Sequence, residues 1–372
     1  MAVQTHNTAA RVGPRPVSWM TTTVPAVHGS FDESSAAELG LRAADVLDFS
    51  ANGNVVGPPP GVAEALAGID LSRYPDRGAR RLRAALGARH ALPEGSIVPG
   101  SGSTELIWSI ARAFLAPGDP TLIVGPTYGE YAAASAVCGA RVETCEAIRP
   151  ASGLDADLLR RAVGETGPNV VWVCHPNNPT GTPFPVDVLD QIAESYPATL
   201  FVVDEAYLTL CESVASAIPL IARGNVVVLR SMTKDYALAG VRIGYVIAPA
   251  LVVVAIRRAL PPWSVSSVAQ AAALAALDDS EHLARVRRAV AASRTHLIAG
   301  LEEIGYRPYP SVANFALVPV GDAVSVTRAL IQRGFAVRDC TSFGLPDCIR
   351  IGVRKVPEQK RLLTALEEIR DG

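Results

Sequence analysis

The sequence predicts an α/β protein in which a large unit built on a mostly parallel sheet is followed by a smaller α+β unit. Three observations carry this reading. Short β-branched runs, Thr121 to Val124, Arg141 to Glu146, Val170 to Cys174, Leu200 to Asp204, Val226 to Arg230 and Tyr245 to Ala248, alternate with amphipathic helical stretches. Beyond Trp263 the pattern changes to long helical segments, roughly Ser266 to Leu277 and Glu281 to Glu303, then a strand near Asn314 to Val318. The length, 372 residues with 49% hydrophobic side chains, is enough for a large core and suggests two domains or one large domain with an appendage.

Along the chain, residues 1–26 are rich in Ala, Thr and Pro without periodicity and read as a flexible arm; no signal-peptide core is visible in them. Gly100-Ser101-Gly102-Ser103-Thr104-Glu105 leads into the helical run Leu106 to Phe114, so a glycine- and hydroxyl-rich loop opens a helix. The Ala-rich stretch Ala269 to Ala276 reads as a tightly packed helix rather than a linker. Ligand groups that follow the carboxyl ends of parallel strands fall along one sheet edge, and Asn178, Asp204, Ser231 and Lys234 all follow strand ends.

Charge and cysteine content narrow the partners. Lys plus Arg (34) nearly balance Asp plus Glu (36), so no overall field favours nucleic acid or an anionic membrane. No apolar run approaches the ~18 residues that span a bilayer. The six cysteines contain no C-x-x-C pair and read as reduced, mostly buried residues of a cytoplasmic protein. The expected partner is therefore a small molecule in a pocket, and no metal site is expected.

Only three lysines occur, Lys234, Lys355 and Lys360, and the first lies in Ser231-Met232-Thr233-Lys234 with Arg242 eight residues on. Lysine can shed a proton and form a Schiff base, which arginine cannot. Alone, Lys234 reads equally as an ordinary surface residue, Asp204 as a helix N-cap and Asn177-Asn178-Pro179 as a turn.

Together, Asn178-Pro179-Thr180-Gly181, Asp204 at a strand end, Ser231-x-x-Lys234 and Arg242 resemble the pyridoxal-phosphate enzymes of the aspartate aminotransferase fold, class I/II, from about Val27 to the C-terminus. The resemblance implies fold type I: residues 59–258 as the large cofactor-binding domain, 259–372 as the small C-terminal domain and 27–58 as a segment joining the small one. It implies that Lys234 carries the cofactor and moves protons at the substrate, that Asp204 pairs with the pyridine nitrogen, and that Asn178 and Tyr207 bond the phenolic oxygen. Ser103, Thr104, Ser231 and Arg242 would hold the phosphate, and Tyr128 would stack on the ring. Tyr74 resembles the tyrosine that reaches the neighbouring subunit's phosphate site, which implies a homodimer with shared active sites. Arg350 matches the arginine that grips a substrate carboxylate; Arg354 either shares that site or is a surface charge.

Within the fold the chain resembles the group of histidinol-phosphate aminotransferases and threonine-phosphate decarboxylases, whose substrate-phosphate positions match His28, Asn52 and Arg338. It departs from the decarboxylase pattern at Asn52-Gly53-Asn54-Val55-Val56-Gly57 and at His28-Gly29-Ser30-Phe31, both at the substrate mouth. The expected reaction is transamination of a small amino acid, an amino-acid phosphate or an amino-alcohol phosphate; decarboxylation of threonine phosphate is the alternative. A non-catalytic effector-binding module is the alternative from another class, against which the roughly 26 unpatterned N-terminal residues read as too few and too poor in basic helix for a DNA-binding domain; a nicotinamide dehydrogenase would need a G-x-G-x-x-G after the first strand.

Overall fold

The computed structural model describes residues 15–29, 31 and 33–371. Its strands are β1 (Leu47–Asp48), β2 (Ile97–Gly100), β3 (Pro120–Val124), β4 (Arg141–Cys145), the small hairpin β5 (Ile148–Arg149) and β6 (Gly153–Leu154), β7 (Val170–Cys174), β8 (Leu200–Asp204), β9 (Val226–Ser231), β10 (Gly244–Ile247), β11 (Phe315–Pro319), β12 (Phe335–Ala336), β13 (Arg338–Asp339) and β14 (Cys348–Gly352). Seven form the central sheet in the order β2-β10-β9-β8-β7-β3-β4. From β9 to β4 the neighbours run parallel, while β10 is antiparallel to both β9 and β2.

Every residue of β7, β8 and β9 is buried, because both faces of the sheet are covered. Alternate side chains feed two separate cores: Val171, Val173, Phe201, Val203 and Val228 on one face, Val170, Trp172, Leu200, Val202 and Leu229 on the other. Strand β2 escapes sequence reading because Pro99 and Gly100 interrupt its pattern; as an edge strand it tolerates the missing proline N–H. The helix Ser267–Asp278 buries Ala269, Ala272, Ala273 and Ala276 and is capped by the Ser266 hydroxyl, so the alanine-rich stretch is a packed element.

The C-terminal part holds the antiparallel sheet β11-β14-β13 and a third core around Phe49, Leu297, Leu301, Ile349, Ile351 and Leu366. Strand β1 pairs parallel with β12, and the Gly352 amide donates to the Phe49 carbonyl at 2.7 Å. Residues 47–54 thereby run from the small sheet into the cleft beside the large one. Residues 1–14 of the arm lie outside the described residues. From Ser18 the arm is docked: the Trp19 indole donates to the Val137 carbonyl at 3.0 Å and packs against Gly139. Among the described residues no helix is long and apolar enough to cross a membrane.

Candidate active site

The carboxyl ends of β7, β8 and β9 open onto one cavity of about 360 Å³. The loop after β7 brings Asn178, the end of β8 brings Asp204 and then Tyr207, and β9 with the short helix Met232–Asp235 brings Ser231 and Lys234. Ser103, Thr104, Tyr128, Arg242 and His28 line the same cavity. Below it, Arg230 and Glu205 form a buried ion pair at 2.7 Å, and Glu205 also accepts from the Ser216 hydroxyl and the Ala217 amide, which satisfies its charge inside the protein.

Burial sets the protonation of the central groups. Asp204 accepts from the Tyr131 hydroxyl at 2.8 Å and the Ala206 amide at 3.0 Å, yet burial outweighs both bonds and pushes its carboxyl up to about 6. Lys234 is moved down to about 8, first by burial and then by the Arg350 and Arg242 cations. A lysine so placed is a usable base near neutral pH. Tyr131 is fully buried, stacked on Trp172 at 5.4 Å and edge-on to Tyr128 at 5.6 Å. Nothing local in the sequence signals the polar contact of Tyr131, whose partner Asp204 is 73 residues away.

An anion cradle lies at the N-terminus of the helix Gly102–Phe114. The helix begins four residues earlier than its apolar period suggests, because the Glu105 carboxylate accepts from the Ser101 amide at 2.6 Å and closes the first turn. Gly102 has φ +82°, and a Cβ there would lie 2.7 Å from Arg242 Nη2; a Cβ at Gly244 would lie 2.8 Å from the Ser103 amide nitrogen. The exposed Arg242, itself at φ +61°, has the Ala239 carbonyl at 3.2 Å as its hydrogen-bond partner.

The remaining predicted residues divide: His28 lines the cavity, Asn52 and Arg350 contact residues that line it, and Arg338, Arg354 and Tyr74 are engaged elsewhere. Asn52 donates to the Tyr207 hydroxyl at 3.2 Å. Arg350 donates to the Asn178 side-chain oxygen and, at 2.6 Å, to the Ser50 carbonyl, and its Nε is buried with no partner among the described residues. Arg338 is committed to the chain: its terminal nitrogens donate to the Val27 and His28 carbonyls and to the Ser342 hydroxyl. His28 Nε2 sits 2.7 Å from Glu130, whose other oxygen accepts from the Trp108 indole; the His28 contact holds the Glu130 carboxyl below its usual range. Glu130 and Trp108 had no signal in the sequence. Arg354 belongs to neither expected class: it lies over Phe49, bonds the Asp48 carbonyl and pairs with Glu358 at 3.0 Å, outside the cavity. Tyr74 is 80% exposed, its ring 4.9 Å from that of Trp263 and away from this cavity. Ser30 of the altered strap motif lies outside the described residues. Among the described residues, no group of three His, Cys, Asp or Glu could hold a metal ion.

Against this geometry the comparisons with known proteins agree. A family model described as aminotransferase class I and II matches residues 44–368. A histidinol-phosphate aminotransferase from Symbiobacterium thermophilum is 37% identical, covering 92% of this chain and 95% of its own. The crystal structure of histidinol-phosphate aminotransferase from Sinorhizobium meliloti in complex with pyridoxal-5'-phosphate superposes with a TM-score of 0.85 at 28% identity, covering 96% of this chain and 98% of its own. L-threonine-O-3-phosphate decarboxylase from Porphyromonas gingivalis has a TM-score of 0.76 over 88% of this chain and 100% of its own; at 24% identity that is a likeness of fold alone.

Proposed function

The chain belongs to the class I and II aminotransferases, and from that premise we propose how its cavity works and which substrate it takes. It is a pyridoxal-phosphate-dependent transaminase of fold type I. The residues present fit the cofactor. Bare backbone at Gly102 and Gly244 lets a phosphate approach the helix N-terminus, with Ser103, Thr104, Ser231 and Arg242 as its donors. Asp204 is a buried carboxylate without a cationic partner among the described residues, and a protonated ring nitrogen beside it would balance its charge.

When bound, the cofactor supplies an electron sink for the pair left on the substrate carbon that loses its proton. Lys234 holds the cofactor and, when released, takes that proton on Nζ and returns it; its lowered pKa keeps a neutral fraction available. Asp204, oriented by Tyr131, keeps the ring nitrogen protonated. Asn178 and Tyr207 would bond the cofactor's phenolic oxygen, Tyr128 would pack over its ring, and Arg350 would offer its Nε side to a carboxylate. The exposed Tyr74 beside Trp263 marks the face for a second copy of the chain, completing a shared site in a homodimer. We divide the chain into a cofactor domain, 59–258, and a small domain formed by 27–58 and 259–372. Five buried, unpaired cysteines out of six suit the cytoplasm.

The substrate we propose is histidinol phosphate, with 2-oxoglutarate as amino acceptor, and the observation that carries it is the 37% identity across 92% of the chain to a histidinol-phosphate aminotransferase. His28 and Asn52 bind the phosphate, and Arg338 keeps the strap at residues 27–29 over it. One feature favours decarboxylation of threonine phosphate instead. Gly29, which lines the cavity, packs against both Arg350 and Arg338, a Cβ there lying 3.2 Å from Arg350 Nη2 and 3.3 Å from Arg338 Cδ, and two cations beside the mouth suit a doubly anionic substrate. The test offers each phosphate to the holoenzyme and follows glutamate formed from 2-oxoglutarate, and carbon dioxide released without a keto acid. Glutamate from histidinol phosphate without carbon dioxide is expected; sustained carbon dioxide from threonine phosphate overturns the assignment.

A further inference from the structure

Asn54 lies in the segment whose sequence departs from the pattern of related enzymes, and its contacts point away from the substrate. Its amide nitrogen donates to the main-chain carbonyls of Lys234 at 3.3 Å and Asp235 at 2.8 Å. Its amide oxygen accepts from the Val56 and Gly57 amides at 2.9 and 2.7 Å. All of its hydrogen-bonding capacity on the oxygen side is thus spent on its own turn, and all on the nitrogen side on the turn that carries the lysine.

That turn needs an external tie. The helix Met232–Asp235 has four residues, too few to hold itself, and Ala237 just beyond it has φ +53°, so its last carbonyls find no continuing helix to accept from. Segment 50–54 is itself gripped from the small sheet. The Asn314 amide nitrogen donates to the Asn52 and Gly53 carbonyls at 3.0 and 2.9 Å, and Arg350 donates to the Ser50 carbonyl. The Cβ that Gly352 lacks would lie 2.6 Å from the Ala51 carbonyl oxygen, so strand β14 presses directly on the segment.

We propose that Asn54 is a positioning residue for Lys234: it ties the backbone of the lysine turn to the small sheet through Asn314 and segment 50–54, so that the seating of the small sheet sets where the amine can reach. The inference rests on the reading of Lys234 as the cofactor-bearing base. Proton transfer depends on placement at the ångström scale, so a loosened turn lowers turnover more than it lowers substrate binding, because the Arg350 and His28 contacts do not pass through Asn54.

Two substitutions probe the tie, Asn54→Asp at the lysine turn and Asn314→Ala at the small sheet, the second adding no charge near Lys234. Asn54→Asp keeps an oxygen for the Val56 and Gly57 amides but has no N–H for the Lys234 and Asp235 carbonyls. In holoenzyme, Asn54→Asp is expected to lower kcat by roughly ten- to a hundredfold with KM changed less than about twofold, and to shift the pH midpoint of the bound cofactor's visible absorption. Asn314→Ala should shift the same midpoint in the same direction by less. A merely structural role would lower Tm and leave the midpoint alone in the folded Asn314→Ala holoenzyme, which carries no added charge. Borohydride reduction and peptide mapping of the wild type come first. Label on Lys234 together with unchanged kcat and midpoint in Asn54→Asp overturns the positioning role alone, as does a lowered Tm with an unmoved midpoint. Label absent from Lys234 overturns the reading of the lysine and this inference with it.

Discussion

Asp204, Ser231 and Lys234 leave strands buried at every residue, whereas His28, Asn52 and Asn54 sit in irregular chain held by side-chain hydrogen bonds to Glu130, Tyr207 and the Lys234 carbonyl. The first region is placed by the sheet: the parallel register β7-β8-β9 puts Cys174 beside Asp204 and Asp204 beside Leu229, and the catalytic turns follow from it. The second is placed by contacts between segments 102 to 311 residues apart, from His28 to Glu130 up to Arg338 to the Val27 carbonyl. A floor inherited from a buried sheet is rigid and common to a family of chemistries, while a mouth assembled from loops can change with the substrate.

Substitutions should divide along this line, floor changes acting on cofactor chemistry and mouth changes on substrate affinity. The largest effect is expected at Lys234: Lys234→Ala should lose about a thousandfold or more in turnover and leave no cofactor fixed to position 234 on borohydride reduction. Mixing it with Tyr74→Phe, if that variant is also inactive, should restore part of the activity through hybrid dimers holding one intact site. Mixtures that exchange subunits yet recover nothing would remove Tyr74 from the shared site.

Asp204→Asn should cost about a hundredfold in turnover, as expected when a charge placed for the developing transition state is lost. In the cofactor-free protein the same change should stabilise. Asp204 titrates near 6 when folded against 3.8 for a free aspartate, so the folded state binds the proton more tightly and stability falls as pH rises from about 4 to about 6. The Asn variant should therefore have the higher Tm at pH 7.5, by an effect on the order of 1–3 kcal/mol, and little advantage at pH 4. A cofactor-free Tm difference that does not depend on pH would contradict the desolvated carboxylate. Smallest is the mouth: Gly29→Ala places a Cβ 2.8 Å from the Ser50 carbonyl oxygen and should raise substrate KM about tenfold with kcat nearly kept, since the crowding reaches Arg350 and not Lys234. A fall in kcat at constant KM would erase the distinction between floor and mouth.

The elements legible in advance were those with a local cause. Strands β3, β4, β7, β8, β9 and β10 stood out by β-branched runs, and the helix Ser267–Asp278 by alanine with a serine cap. Strand β2 did not, because an edge position excuses Pro99 from the usual rule and edge position is a property of the sheet. Tyr131 could be read only as an aromatic, since its partner Asp204 is 73 residues away, and Glu130 announced nothing because its partners His28 and Trp108 lie 102 and 22 residues away along the chain. For Arg338, expected at a phosphate, the terminal nitrogens are engaged by two carbonyls and a hydroxyl, which is visible only once residues 27–28 are laid against β13.

By itself the sequence determined the alternation of strands and helices, the cofactor motif along the strand ends and the single interior lysine able to do the chemistry, because period, spacing and residue type are local properties of a chain. The tertiary structure alone decided the lowered pKa of Lys234, the desolvation of Asp204, the commitment of Arg338 to the strap and the tie from Asn54 to the lysine turn. Each of these depends on which distant atoms exclude water or accept a proton, and that is fixed only when the segments are packed together.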